Sequence, residues 1–397
     1  MSTHSEHRHS CKRRGAIVVY VAASGVVLMG FAALAVDAGR LYLGKTELQV
    51  AADAAALAGA NELLNERRLH GDGELLTSFQ LARQQAGAVA GSNPVLGIGP
   101  QIDYNPDNGA DGDLVIGYLS TMYNTGEAIS FSDVTEFNAV KVRVRRDATH
   151  NGPVGLMFAR VLGIETADLV AEATAAFHHG IIGFRAPSET GTVGLMPMAL
   201  RESFWDLLMG TVAGENANYQ DNYAYDPLTG QVTPGQDGLP ELNLYPGVGE
   251  EQLPPGNFGT VDIGGDNNAT SDIERQLLEG VSADDLSYHG GELSLADGPF
   301  ILNGDTGLSS GLKDELDAII GQPRTIPLFS EVSGPGDNSV FTIVKFAGVR
   351  VMDAKLTGAM KFKCVLLQPA IAMDDGAIFG GDGTTSEHVY HPPVLVR

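Results

Sequence analysis

The sequence predicts an α+β protein: an N-terminal transmembrane helix that continues as a helical stalk, followed by two exported α+β domains. Three observations predict it. Residues 15–36 form an uncharged apolar run behind a basic cluster. A proline-free stretch rich in Ala, Leu, Glu, Gln and Arg, all strong helix formers, carries the helical pattern on to about residue 70. Beyond it, helix-type and strand-type segments alternate in the order helix, strands, helix, strand, with no internal repeat.

The apolar run is 22 residues long. At a rise of 1.5 Å per residue it reaches about 33 Å, enough to cross a hydrocarbon core of about 30 Å. Gly15, Ala16, Ile17, Val18, Val19, Tyr20, Leu28, Phe31, Leu34 and Val36 are its candidate membrane contacts. Lys12, Arg13 and Arg14 stop just before it and Asp37 stands just after it. Basic residues stay on the cytoplasmic side, so residues 1–14 are expected inside and the remaining ~360 residues exported. A cleaved signal peptide is the competing expectation, with Ala33-Leu34-Ala35 as an A-x-A-like cleavage site. Against it, the run exceeds the apolar core of roughly 7–15 residues usual in such peptides.

Residues 37–70 are expected to extend the span as a stalk. Ala51, Ala55 and Gly59 form one row of small side chains on it, and Ala52, Ala56 and Ala60 form the next. Small rows let another backbone approach closely. Two partners fit: another subunit, which would make the stalk an oligomerisation surface, or the chain's own domain. Arg67, Arg68 and His70 suit the negative end of a helix, and Gly71 suits its cap.

The segment RRGAIVVYVAASGVVLMGFAALAVDAGRLYLGKTELQVAADAAALAGA, residues 13–60, resembles the N-terminal region of TadE/TadG-like proteins of the tight-adherence (Flp) pilus system. The resemblance rests on RRGA before the span, ALAVDAGRLYL at its exit and TELQVAADAAALAGA beyond. It covers about 48 of the 397 residues. It implies an inner-membrane protein with an exported C-terminal part, serving pilus assembly or export, with other pilus-assembly or envelope proteins as partners. Two departures stand out. Prepilin-like members carry Glu five residues after the cleavage Gly, whereas Tyr20 holds that place after Gly15. Longer members carry a von Willebrand A-type domain with an Asp-x-Ser-x-Ser metal motif, and no such string occurs here.

Formal charge is −24, and residues 1–14 carry +3 of their own, leaving −27 for the rest. Such a surface repels nucleic acid and attracts cations. Of the two cysteines, Cys11 precedes the span and Cys364 follows it. They cannot pair across a membrane within one chain, so the exported part has no internal disulfide framework. Cys364 reads as a buried strand residue.

In order, His4, His7 and His9 sit in a polar N-terminus of residues 1–14. The first domain, 71–180, opens with a helix at 74–89 and a possible start of strand at 102–104. A strand at 113–120 follows, then one at 139–145. There Val140, Val142 and Val144 alternate with Lys141, Arg143 and Arg145, the period-two pattern of a half-buried strand. Pro153 suits a helix start over 154–162, and 167–177 reads as strand. His178 and His179, adjacent on a strand, point to opposite faces and do not share a metal. Residues 181–195 read as a linker. The second domain, 196–370, is richer in strand. It has helices at 200–209, 313–320 and 271–279, the last behind a capping-box spacing at Ser271–Glu274. Residues 222–244 read as hairpin and turns, and 326–330, 340–351 and 359–367 as the strongest strands. Residues 371–397 read as a Gly-, Asp- and Pro-containing tail.

Four strings invite chemistry. GLSSG, 307–311, matches G-x-S-x-G with Ser309 as nucleophile, and Asp353 or Asp374 with His388 or His391 would complete the order. The candidate strand 300–302 ends too early for a nucleophile elbow, and a serine capping the next helix explains the string. GGDGT, 380–384, looks like a phosphate loop of lipid and NAD kinases, but only 13 residues follow it. DYNPDNGADGD, 103–113, places Asn108 and Leu114 where an EF-hand needs Gly and Glu, so a hairpin turn is the better reading. Asp262, Asp266, Asn267 and Asn268 suit turns and caps. The expected function is therefore a membrane-anchored, non-enzymatic component of Flp/Tad-type pilus assembly or an adhesion-related envelope complex, with no cofactor, metal or nucleic-acid partner. The alternatives are a membrane-tethered serine hydrolase using Ser309 and a cation-dependent adhesin using the acidic loops.

Overall fold

Helix α1, Arg14–Glu62, runs for 49 residues without a break. At 1.5 Å per residue that is about 74 Å. The computed structural model to which it belongs describes residues 14–120, 127–244, 259–265, 269–304, 310–334, 338–357, 364–380 and 385–396. The helical stretch expected to residue 70 divides after Glu62: a turn leads into a 3-10 helix, Glu66–His70, whose first turn is capped by Asn65 Oδ1 accepting from the Arg67 N–H at 2.9 Å. Gly71 follows with φ of +81°, a conformation glycine adopts without a Cβ penalty, and the chain reverses into α2, Asp72–Ser92.

Three antiparallel strands come next: β1 (Leu114–Gly117), β2 (Ala139–Arg146) and β3 (Leu169–His178). The alternation read in β2 is the observed one. Val140, Val142 and Val144 are buried under α1 and α2 with Ala171, Ala173, Ala175 and Phe177 of β3. The other face carries Lys141 and Arg143 paired with Glu172, and Arg145 paired with the buried Asp113 at 2.6 Å. No strand forms over 102–104. The helix expected over 154–162 is also corrected. Val154–Gly155 pairs as a short strand with Thr166–Ala167, and only Ala159–Leu162 coils, as a 3-10 turn.

The chain then builds a second unit. β4 (Ile181–Phe184) lies where a linker was expected. Helices α3 (Glu202–Val212), α4 (Thr270–Glu279) and α5 (Ala283–Ser287), strand β5 (Phe300–Gly304) and helix α6 (Lys313–Ala318) follow. Strands β6 (Pro323–Ser333), β7 (Val340–Lys355) and β8 (Cys364–Pro369) form the heart of an eight-stranded sheet centred on β7. Leu328 and Phe329, neighbours on β6, belong to two different apolar clusters. Adjacent strand residues face opposite ways, so the sheet has a core on each side. One holds Trp205, Leu208, Leu277 and Val349; the other holds Phe184, Phe341 and Phe346. At α4 the cap is not Ser271: the chain enters at Ala269, whose N–H donates to the Asp272 carboxylate at 3.1 Å.

The expected C-terminal tail is corrected most of all. It contains β9 (Ala372–Met373), β10 (Ala377–Phe379) and β11 (Val389–Val396). β10 pairs with β4, and β11 returns to the first sheet, pairing antiparallel with β3 to give the order β1-β2-β3-β11-β9. The prolines that made this stretch read as a breaker, Pro392 and Pro393, sit where the register shifts between His391↔His178 and Val394↔Ala176. A proline costs no ladder bond at such an irregularity. The second unit is thus inserted between two neighbouring strands of the first. Arg350 of β7 also joins them. Its guanidinium, almost fully buried, pairs with Glu66 at 2.5 Å, donates from Nε to the Gly321 carbonyl at 2.9 Å and lies 3.4 Å from the Tyr225 ring centre.

Where β11 closes on β3, the His178 ring stacks on Phe379 at 3.5 Å. Burial, aided by His391 and His179, holds His178 down to about 4. Burial also holds His388 down to about 4, with Glu387 opposing and Arg68 assisting. The unfolded value is about 6.5, so the fold requires neutral rings: their contribution is complete above pH ~6.5 and is lost progressively as pH falls toward ~4. Thermal unfolding should therefore show a falling Tm from about pH 6.5 to 5, above the range in which ordinary carboxylates titrate. His178→Phe, which keeps the stack, should flatten that slope; an unchanged slope would show that the ring does not titrate with folding.

Candidate functional site

The apolar run and the helix beyond it differ in one physical respect. From Ile17 to Val36 the large side chains are exposed, with Ile17, Val18, Val19, Tyr20, Leu28 and Phe31 two-thirds or more accessible and Leu34 and Val36 about half. A core helix of that composition would be covered, and this one is long and apolar enough to cross a membrane. Gly15 and Ala16 lie in the same helix. Arg14 is its first residue, while Lys12 and Arg13 lie outside the described residues.

Asp37, only 4% accessible, is the first buried residue of this helix beyond the apolar run. Its carboxylate accepts three backbone hydrogen bonds. Oδ1 takes the Met157 N–H at 2.8 Å, and Oδ2 takes those of Phe158 and Ala159 at 2.8 and 2.7 Å. These are the free N–H groups at the start of the 159–162 turn, where a negative charge is most favourable. Burial works to raise the Asp37 pKa, but the three N–H donors, helped by Arg40, hold it below the ordinary carboxylate value. The group therefore stays charged and fully bonded. Successive turns of α1 repeat the attachment: Lys45 donates to the Val170 carbonyl, Glu47 accepts from the Leu96 N–H at 2.6 Å, and Gln49 donates to the Glu172 carbonyl at 3.0 Å.

Above these polar straps lies the small-residue face. Ala51, Ala52, Ala55, Ala56 and Ala60 are completely buried in the core of this same chain, against Ala82, Ala86 and Ala90 of α2 and the valines of β2. A Cβ on Gly59 would lie 3.0 Å from Val140 Cγ1 and 3.3 Å from Ala86 Cβ. The rows let three layers meet at backbone distance. After α1, Arg68 donates to the Thr135 and Phe137 carbonyls and lies over the rings of Phe177 and Tyr390. No local pattern in the sequence signals this role, nor the bonds that Asp37 accepts from 157–159.

The other candidate strings do not converge. In the 103–113 loop, Asn105 donates to the Gly109 and Leu114 carbonyls, and Asn108 pairs in both directions with Ile116. The side chains that resembled cation ligands close a turn. Among the described residues no three His, Cys, Asp or Glu side chains cluster as a metal site. Asp266, Asn267, Asn268, the 381–384 part of GGDGT, His4, His7, His9, Cys11 and Ser309 lie outside the described residues. Asp353 accepts from the Tyr223 hydroxyl at 3.0 Å. His388 packs beside Gly348, five residues back along β7, which at 3.3 Å per residue is about 16 Å away. Asp374 accepts from the N–H groups of Gly194 and Gly376, and burial pushes its carboxyl above the ordinary value. His178 and His179 stack on different partners, Phe379 and Tyr118. Burial, and Asp353 beside it, push the Cys364 thiol up, away from the reactive thiolate.

These features define a class: an α+β protein hung on one long apolar helix whose exit is locked to its folded part. Comparison with known families is more specific. Residues 15–62 match the model described as putative Flp pilus-assembly TadE/G-like, and residues 42–175 match that of putative Tad-like Flp pilus-assembly. The N-terminal region of the chain, residues 15–175, is thus similar to TadE/TadG-like Flp pilus-assembly proteins. No curated protein matches, and no solved structure matches.

Two outcomes test this geometry. Ala55→Leu should lower the unfolding free energy of the isolated chain by about 1–3 kcal/mol through overpacking, read by denaturant titration in detergent. Unchanged stability would mean that the face tolerates bulk and is not tightly packed. Asp37→Ala should speed amide hydrogen exchange at Met157, Phe158 and Ala159 while leaving β2 and β3 protected. Equal exchange in both proteins would show that the carboxylate does not hold the turn.

Proposed function

We propose that this protein is a single-pass, membrane-anchored and non-enzymatic component of Flp/Tad-type pilus assembly or a related envelope complex. Residues 1–14 lie in the cytoplasm, residues 15–36 cross the inner membrane, and the bulk of the chain is exported. The observation that carries this reading is the change at Asp37. Every large side chain of the apolar run before it is exposed, and the carboxylate itself is sealed into a folded domain. The basic cluster Lys12, Arg13 and Arg14 supports the orientation. The family matches support the pilus-assembly role. The engagement of Asp353, Asp374 and His388 in structural contacts supports the absence of catalysis.

The division of labour follows from the packing. The first unit is built around α1, so it is held at a fixed height over the membrane. The second unit, inserted between β3 and β11, is presented further out to partner proteins of the assembly. Protease added to intact spheroplasts should digest the region after Asp37, while mass spectrometry of the mature protein recovers peptides covering 12–40. A mature N-terminus at Val36 would overturn the anchor and install a cleaved signal peptide.

A further inference from the structure

The first unit carries an apolar surface that its own packing does not explain. Met157, Phe158, Val161, Leu162 and Ile164 are 61%, 42%, 88%, 66% and 53% exposed, five large apolar side chains within the eight residues MFARVLGI. Single exposed apolar residues are ordinary, but a contiguous group marks an interaction surface. The backbone at 157–159, where this group begins, is held in place by the bonds to Asp37 described above.

We propose that the 157–164 loop enters the headgroup layer of the bilayer that α1 crosses, giving the protein a second, interfacial contact with lipid. The proposal rests on the anchor reading and deepens it. Asp37 is the first residue beyond the apolar run, so whatever it binds sits at the level where the hydrocarbon ends. Leu34 and Val36 of α1, within one turn of Asp37, are exposed as the loop's apolar side chains are. Just above them α1 displays Arg40 and Tyr42, the residue types that favour the headgroup zone. Arg160, exposed in the middle of the loop, is placed to meet lipid phosphates. The strongly acidic chain is not drawn to anionic lipid by its net charge, so local contacts, apolar ones above all, would hold it against the membrane. Two contacts, helix and loop, fix the tilt and rotation of the first unit, which one helix alone leaves free.

The test uses the full chain carrying C11S and C364S, with one introduced cysteine labelled by an environment-sensitive fluorophore. It is reconstituted in phosphatidylcholine–phosphatidylglycerol vesicles containing lipids with a nitroxide at shallow or deep positions. Val161→Cys is the test site, with Leu162→Cys as a second. Leu28→Cys reports the span. Leu228→Cys, on the 223–234 hairpin beyond the far end of α1, reports water. Thermal transitions matching the unlabelled chain confirm folding. The expected result is strong quenching at 161 by the shallow nitroxide, strong quenching at 28 by the deep one and none at 228. Quenching at 28 without quenching at 161 overturns the proposal and leaves the anchor standing. A blue-shifted but unquenched label at 161 overturns it in favour of a covering protein, such as a second copy. No quenching at 28 overturns the anchor reading and the proposal with it.

Discussion

The Asp37 carboxylate and the three N–H groups of 157–159 set the relation between the apolar helix and everything that follows. A charged residue at the end of an apolar run is usually left to water. Here it is buried, so its ionised form survives only because three oriented donors replace the lost solvation. That makes the junction specific. An isolated helix emerging from a membrane is free to rotate and tilt, whereas a carboxylate bonded to three consecutive amides ties one face of the helix to one turn of the domain. Further along, Lys45 and Gln49 bond to β3 and Glu47, on another side of the helix, to Leu96, and the alanine rows are buried beyond them.

The second constraint is topological. β11 ends beside β3, although 210 residues separate the end of β3 from the start of β11. The first sheet is therefore incomplete until the second unit has formed and its exit strand has returned. The contacts at the seam fit this dependence: Arg350 against Glu66 and Tyr225, and His178 against Phe379 and His391. A seam built from aromatic rings, a buried ion pair and neutral histidines is sensitive to pH and to any change in volume. The match of residues 42–175 stops within β3, short of the strand that completes its sheet.

What the sequence made legible was whatever depends on local periodicity. The 22-residue apolar run, the valine alternation of β2, the helical 74–89 segment and the small-residue rows are all statements about neighbours in the chain. What it hid depends on distant partners. Asp37 read as a topology marker because nothing near it in sequence announces three amides 120 residues away. Residues 154–162 read as a helix because Pro153 suits a helix start, yet Asp37 takes the N–H groups of 157–159 and Val154–Gly155 pairs in a strand. The 371–397 stretch read as a tail because Pro392 and Pro393 mask the alternation of β11, and a bulge that tolerates them has no sequence signature of its own. Arg68 read as a charge suiting a helix end and Arg350 only as part of the 340–351 strand, and each packs over an aromatic ring contributed from far along the chain.

The alanine rows carry the remaining step. In the sequence they fit contact with a second subunit as well as contact with the chain's own domain, because close backbone approach requires small side chains in either case. Their complete burial against α2, β2 and β3 uses that surface within the protein. The face of α1 left open is the opposite one, where Tyr42, Leu43 and Val50 are exposed. The alanine rows, covered in this way, are not free for contact with a second subunit. The same packing explains why the rows are alanine and not leucine. Larger side chains would add apolar area but would push α1 off β3, and the lever so created would pull Asp37 away from its three amides.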